Sequence, residues 1–147
     1  RQMCIRDRLV NHGYKETMGR IGKFPFPMSV EEALSYIKNK LEIPVLRYAG
    51  NRDRLVEKIA ILGGAGAEFA GVAKSMGADL YLTGDLKYHE AQDAAMNGLV
   101  IADGGHFYTE RVIIPYLAKR LRDEFKTRGW NVGVLEDVRA KDIFHCV

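Results

Sequence analysis

Cysteine is nearly absent: Cys4 and Cys146 stand at opposite ends and form no CxxC pair. That excludes a disulfide framework and points to a reducing compartment. Long apolar runs are absent as well. The longest spans only a few residues, far short of a membrane-spanning helix, and no signal peptide is visible, so the cytoplasm is the expected location. Neither sign of charge dominates, with 22 Lys and Arg against 19 Asp and Glu and a net charge of +3. The densest basic cluster, Lys119, Arg120, Arg122, Lys126 and Arg128, alternates with Asp123 and Glu124. On a helix this makes a solvated face rather than a nucleic-acid patch.

What remains is the balance of a soluble globular chain: 147 residues, 47% apolar and 28% charged. That length fits one ordinary domain whose core needs neither disulfides nor a structural metal. Residues 1–8 (RQMCIRDR) have no apolar period and no initiating methionine, and they resemble an adapter-derived stretch of translated sequence. A single domain is therefore expected over residues 9–147, with an upstream part of the protein lying outside this sequence.

Residues 23–27 (KFPFP) form an extended lead-in that two prolines keep from being helical. Ser29 then begins a helix. Glu32 follows three residues later, the spacing of a capping box, and Val30, Ala33, Leu34, Ile37 and Leu41 recur at helical intervals. Pro44 ends it. Residues 45–49 and 56–62 read as strands joined by a short turn, which predicts a hairpin. Strand and helix then alternate. Helices are expected over 67–76 and 88–97, strands over 79–83, 99–102 and 131–135, and a short last strand over 143–146. A long helix ends near Thr127, with Ile113, Leu117, Leu121 and Phe125 as its apolar stripe; Pro115 implies that it begins late or bends. The pattern predicts a three-layer α/β/α domain with a mixed, mostly parallel sheet.

In such a sheet ligands bind outside the carboxyl ends of the strands. Three strand ends carry unusual residues: 63–66 (GGAG), 83–85 (TGD) and 103–106 (DGGH). Gly64 and Gly66 open a helix after a strand, with Asp85 at the next strand end, close to a dinucleotide fingerprint. Phe69 occupies the place of the third glycine, so a plain strand-to-helix turn competes with nucleotide or phosphate binding. Asp85 and His89, one helical turn apart, could be catalytic; alternatively Asp85 caps the following helix and His89 is a surface residue. His106 and Glu110 are four apart and lie on one face of a helical turn. Both can reach a single metal ion, and imidazole with carboxylate suits Zn²⁺, Mn²⁺ or Fe²⁺. His12 and His145 are poor ligand candidates.

The run from Gly64 to Glu110, with its GD-x-x-YH and D-x-GH-x-x-x-E pieces in that order, resembles the C-terminal signature of the Nif-three-like family. Members are also labelled type 2 GTP cyclohydrolase I or dinuclear metal centre proteins. The entry segment 18–22 (MGRIG) resembles what precedes that signature, so the likeness spans roughly Tyr14 to Val147. It implies a two-metal site between two α/β halves, a ring-shaped homohexamer, and His106 and Glu110 as metal ligands. Asp85, Tyr88, His89 and Asp103 would lie around the site. The family's other ligands, a histidine pair and an aspartate, belong to an N-terminal half, and no His-His pair occurs in this sequence. The expectation is thus the C-terminal half of a two-lobed, metal-dependent hydrolase acting on a small molecule, for which the label suggests GTP. His89 or Asp85 would move a proton. A non-catalytic metal-binding scaffold or regulator, and a nucleotide-binding module built on Gly63–Gly66, are the alternatives.

Overall fold

The computed structural model of the protein describes the backbone of residues 4–9 and the whole of residues 18–145. His12, Cys146 and the side chain of Cys4 lie outside it. Among the described residues six strands form one sheet in which the third strand in sequence lies at the edge beside the sixth. β1 (Cys4–Leu9) pairs antiparallel with β2 (Met18–Ser29), which pairs antiparallel with β4 (Leu55–Ala65). β4, β5 (Leu80–Gly84) and β6 (Val100–Asp103) are parallel and form the centre; β3 (Arg47–Ala49) closes the far edge, antiparallel to β6.

The extended lead-in is the second half of β2. Between Lys23 and Met28 the β2–β4 register shifts, because Pro25 and Pro27 have no N–H to give the ladder. Ser29 ends the strand and caps α1 (Val30–Leu41): its hydroxyl accepts from the Glu32 amide at 3.2 Å, and the Glu32 carboxylate accepts from the Ser29 amide at 2.8 Å. The expected capping box is therefore present. α1 buries Val30, Ala33, Leu34 and Ile37 against Ile59, Leu80, Leu82, Val100 and Ala102. α2 (Ala70–Ser75) and α3 (Tyr88–Met96) cover the opposite face, where Ala60, Leu62, Tyr81 and Ile101 point. Alternation along each strand thus divides one sheet between two apolar layers. Every residue of β5 is buried, as befits a central parallel strand.

The predicted hairpin is corrected. β3 and β4 are not neighbours: residues 50–54 carry the chain beneath the starts of β6 and β5, so β4 enters between β2 and β5. Gly50, at φ +122°, makes this passage possible, since a Cβ there would lie 2.9 Å from the Val100 Cα. Arg54 then donates to the Gly98 carbonyl at 3.1 Å and to Asp79 at 2.7 Å, and Asp79 also accepts the Glu57 and Lys58 amides. A short linker reads as a hairpin turn from sequence because nothing local reveals which strands it passes.

The long helix is also divided. α4 (His106–Glu110) stops before α5 (Ile113–Thr127), in which Pro115 sits in the first turn where its missing N–H breaks no bond. The α5 stripe does not reach the core: Ile113 is 52% and Leu117 48% exposed, and only Ala118 is buried. Residues 131–135 and 143–145 form no strand. Instead Arg122 bonds Glu136 and the Val134 carbonyl, folding that segment back on α5. No helix among the described residues is long and apolar enough to cross a membrane.

Burial pushes the Asp79 carboxyl up, but the Arg54 guanidinium and the Lys58 and Glu57 amides outweigh it and hold it below the ordinary 3.8. Its stabilisation is therefore complete above the unfolded-chain value and fades as pH falls through the lower folded value. Asp79→Ala is expected to cost about 1–3 kcal/mol in urea unfolding at pH 7, with the gap to the parent protein narrowing in strong acid.

Candidate functional site

The carboxyl ends of β4, β5 and β6 converge at one edge, and α4 lies directly across them. Bare backbone makes room for it. A Cβ on Gly63 would come within 2.7 Å of the Thr109 carbonyl oxygen, and one on Gly84 within 2.9 Å of the His106 amide. One on Gly104 would press on Ile43 and Thr109 at 2.9–3.0 Å. Hydrogen bonds then lock the layers together. The fully buried Thr83 hydroxyl accepts the Gly66 amide and donates to the Gly64 carbonyl, both at 3.0 Å. The Thr109 hydroxyl accepts the Gly64 amide at 3.0 Å and donates to the Gly105 carbonyl at 2.8 Å.

These bonds bear on the expected nucleotide-binding turn. Gly64 and Gly66 are both buried, and their amides already serve Thr109 and Thr83. Nest-like phosphate binding needs amides that point free, so the geometry lends that use no support. Gly64 instead makes room for the Glu110 and His106 side chains of α4, and Gly66 packs against Leu62 and Thr83.

On the outer side of α4, His106 and Glu110 share a face as their spacing requires, with His106 Nε2 3.3 Å from Glu110 Oε2. Asp85, 21 positions earlier and at φ +52°, places Oδ2 2.7 Å from His106 Nδ1. All three side chains are about half exposed. The Asp85 hydrogen bond raises the His106 pKa above its ordinary 6.5; desolvation opposes it, and the charges of Glu110 and Asp85 and the Glu110 contact add to the rise.

Beneath them Asp103, 7% exposed, accepts from the Gly105 amide at 3.0 Å, the Leu86 amide at 3.4 Å and Arg47 at 2.5 Å. Arg47 belongs to β3, so its place at the site follows from the β3–β6 pairing that the sequence did not reveal. Thr83 falls within one of the three marked strand ends, but its bridging role, like that of Thr109, has no signal in the sequence, since a threonine amid strand and helix residues carries none. His89 is not drawn in. It is exposed on α3, and among the described residues it meets Tyr88 edge to face and bonds none of Asp85, His106 or Glu110.

A pair of N and O donors each about 2.0–2.1 Å from a tetrahedral metal would stand about 3.3 Å apart. The His106–Glu110 spacing matches, and the donor chemistry fits Zn²⁺, Mn²⁺ or Fe²⁺. Among the described residues no three His, Cys, Asp or Glu side chains converge as a ligand set. His106 and Glu110 by themselves offer two donors, fewer than a four-coordinate ion takes.

The chain as a whole is similar to known proteins. The profile of the family described as Duf34/NIF3 (NGG1p interacting factor 3) matches residues 3–141. A Bacillus subtilis protein named GTP cyclohydrolase 1 type 2 homolog is 36% identical over 80% of this chain and 31% of its own length. A Clostridium perfringens protein of the same name is 35% identical over 88% of this chain and 48% of its own. Among solved structures, a Bacillus cereus protein related to NIF3 superposes with a TM-score of 0.84 at 35% identity, over 90% of this chain and 37% of that one. The chain therefore spans between about a third and a half of the relatives it matches.

Gly84→Ala should force the α4 backbone away from β5, costing about 1–3 kcal/mol in chemical unfolding and displacing the His106 ring signals in NMR spectra. In the parent protein the His106 ring should titrate above pH 6.5. In Asp85→Asn, which retains an acceptor but not the charge, its midpoint should move down.

Proposed function

The chain belongs to the Duf34/NIF3 (NGG1p interacting factor 3) family, and from that premise we propose that it supplies His106 and Glu110 to the metal site of a metal-dependent hydrolase. The observation that carries this reading is the 3.3 Å spacing of His106 Nε2 and Glu110 Oε2 on one exposed face of α4. The relatives' name, GTP cyclohydrolase 1 type 2 homolog, makes opening of the imidazole ring of GTP the first reaction to consider.

A pair of bound divalent ions would supply a water of lowered pKa and a clamp for an oxygen anion. The rest falls to the chain's own groups. His106 and Glu110 hold their donors on one helical turn, and α4 is held in turn by Thr109 and the glycine backbone beneath it. The site opens into a groove of about 1410 Å³ that Arg47, Arg111, Lys141, Phe107 and Tyr108 help to line. Phe107 and Tyr108 suit a planar substrate, while the same groove carries six carboxylates against these three cations, of which Arg47 and Arg111 are already paired with Asp103 and Glu42. Two ligands cannot complete a dinuclear site, so further donors must come from outside this pair. A homohexamer and a cytoplasmic setting belong to the same reading.

The test is a Zn²⁺ and Mn²⁺ titration of the protein, read on the His106 ring signals (Zn²⁺ for shifts, Mn²⁺ for broadening) and by elemental analysis. His106→Ala and Glu110→Ala should each weaken binding at least about 10-fold. Equal binding in both substitutions would overturn the reading. Metal binding with no GTP turnover in the assembled, metal-loaded protein would remove the cyclohydrolase activity and leave a scaffold.

A further inference from the structure

Asp85 stands in an unusual backbone conformation for which neither neighbouring element has a use. Its φ is +52°, and among the described residues only Glu42 shares the left-handed region without being glycine. Glu42 is explained by its place as the C-cap of α1. Asp85 is not explained by helix capping. The first turn of α3 begins after Lys87, whose amide is taken by Glu90 at 2.9 Å, and Asp85 bonds no backbone group of that helix. Among the described residues its one strong contact is the 2.7 Å approach of Oδ2 to His106 Nδ1.

The neighbouring backbone is held in register for that contact. Leu86, which follows Asp85, and Gly105, which precedes His106, both donate their amides to the buried Asp103 carboxylate. Arg47 covers the same carboxylate and reaches the Leu86 carbonyl at 3.4 Å. One buried group thus ties down both turns, and the left-handed backbone at Asp85 turns its carboxylate across to the ring.

We propose that Asp85 is a positioning residue: it accepts the Nδ1–H of His106 and so fixes the ring in the tautomer that leaves the Nε2 lone pair beside Glu110. In the neutral ring a single proton is contested by two carboxylates, at 2.7 Å on the Nδ1 side and 3.3 Å on the Nε2 side. The Asp85 bond decides, because its 2.7 Å lies within the usual N–H···O range of about 2.7–3.2 Å and the 3.3 Å Glu110 contact lies outside it. The proton is therefore on Nδ1. Free histidine favours the opposite tautomer, so the preference is imposed by the fold. The inference rests on the metal reading only for its purpose: a ligating histidine needs its free lone pair on the metal side and its other nitrogen held. It gives Asp85 a static role in place of a proton shuttle.

The test is nitrogen-15 NMR of the His106 ring in the metal-free protein, at a pH where the ring is neutral, followed by Zn²⁺ titration. Asp85→Gly removes the carboxylate and also suits the left-handed backbone, so unfolding should not be made easier. Asp85→Asn tolerates the same φ and keeps a neutral acceptor. The parent should carry its proton on Nδ1, Asp85→Gly should revert to mostly Nε2–H, and Asp85→Asn should recover part of the Nδ1–H form. Zn²⁺ affinity should fall about 10- to 100-fold in Asp85→Gly and less in Asp85→Asn. A parent ring protonated on Nε2, or a tautomer unchanged in Asp85→Gly, overturns the proposal whether or not Zn²⁺ binds. If the tautomer switches while Zn²⁺ fails to bind even the parent, the positioning role stands and the metal reading fails instead.

Discussion

The structure around the site depends on the close approach of α4 to bare backbone. A five-residue helix has too little length to be stable alone, and α4 persists because it lies on strand ends stripped of side chains at Gly63, Gly84 and Gly104. Any Cβ there would meet backbone or a packed side chain at 2.7–3.0 Å. Such overlap cannot be relieved by rotating a side chain where the obstacle is the peptide unit itself. The glycines therefore govern where His106 and Glu110 are presented. They act through space, and the site reads their absence of side chains rather than their flexibility.

Close approach brings polar groups together, and their satisfaction gives the edge its definition. Thr83 joins β4 to β5, Thr109 joins β4 to α4, and Asp103 joins the turns after β5 and β6 while Arg47 covers it from β3. Each of these side chains serves backbone groups that would otherwise be buried without partners. Networks of this kind favour one arrangement over near alternatives, since a slip of one residue leaves several groups unpaired at once. The half-exposed trio of Asp85, His106 and Glu110 stands on this buried layer, which is how accessible side chains can still be held in place.

The far end of the chain shows the reverse condition. α5 has an amphipathic pattern as regular as that of α1, yet Ile113, Leu117 and Leu121 remain exposed where α1 buries Val30, Ala33, Leu34 and Ile37. Periodicity makes a helix and marks its apolar face. It does not say whether a surface exists for that face to meet. The same limit applies to residues 131–135: their apolar content reads as a strand, but without an adjacent edge the backbone has nothing to pair with, and Leu135 is 96% exposed.

What the sequence by itself determined is what adjacent residues decide among themselves. The Ser29–Glu32 capping box, the break before α5 at Pro115, the buried central strands and the three-layer α/β class all follow from local propensity and period. The pairing of His106 with Glu110 belongs here too, because residues four apart on a helix share a face wherever that helix is placed. Only the tertiary structure decided that β3 lies beside β6 rather than β4, that Arg47 therefore reaches Asp103, and that the Gly64 and Gly66 amides are spent on Thr109 and Thr83. It alone set Asp85 against His106 and left His89 outside. The physical reason is the same in each case. Hydrogen-bond partners far apart in sequence are selected by which strand passes beneath which and by what space the side chains leave, and neither is encoded in any short stretch of chain.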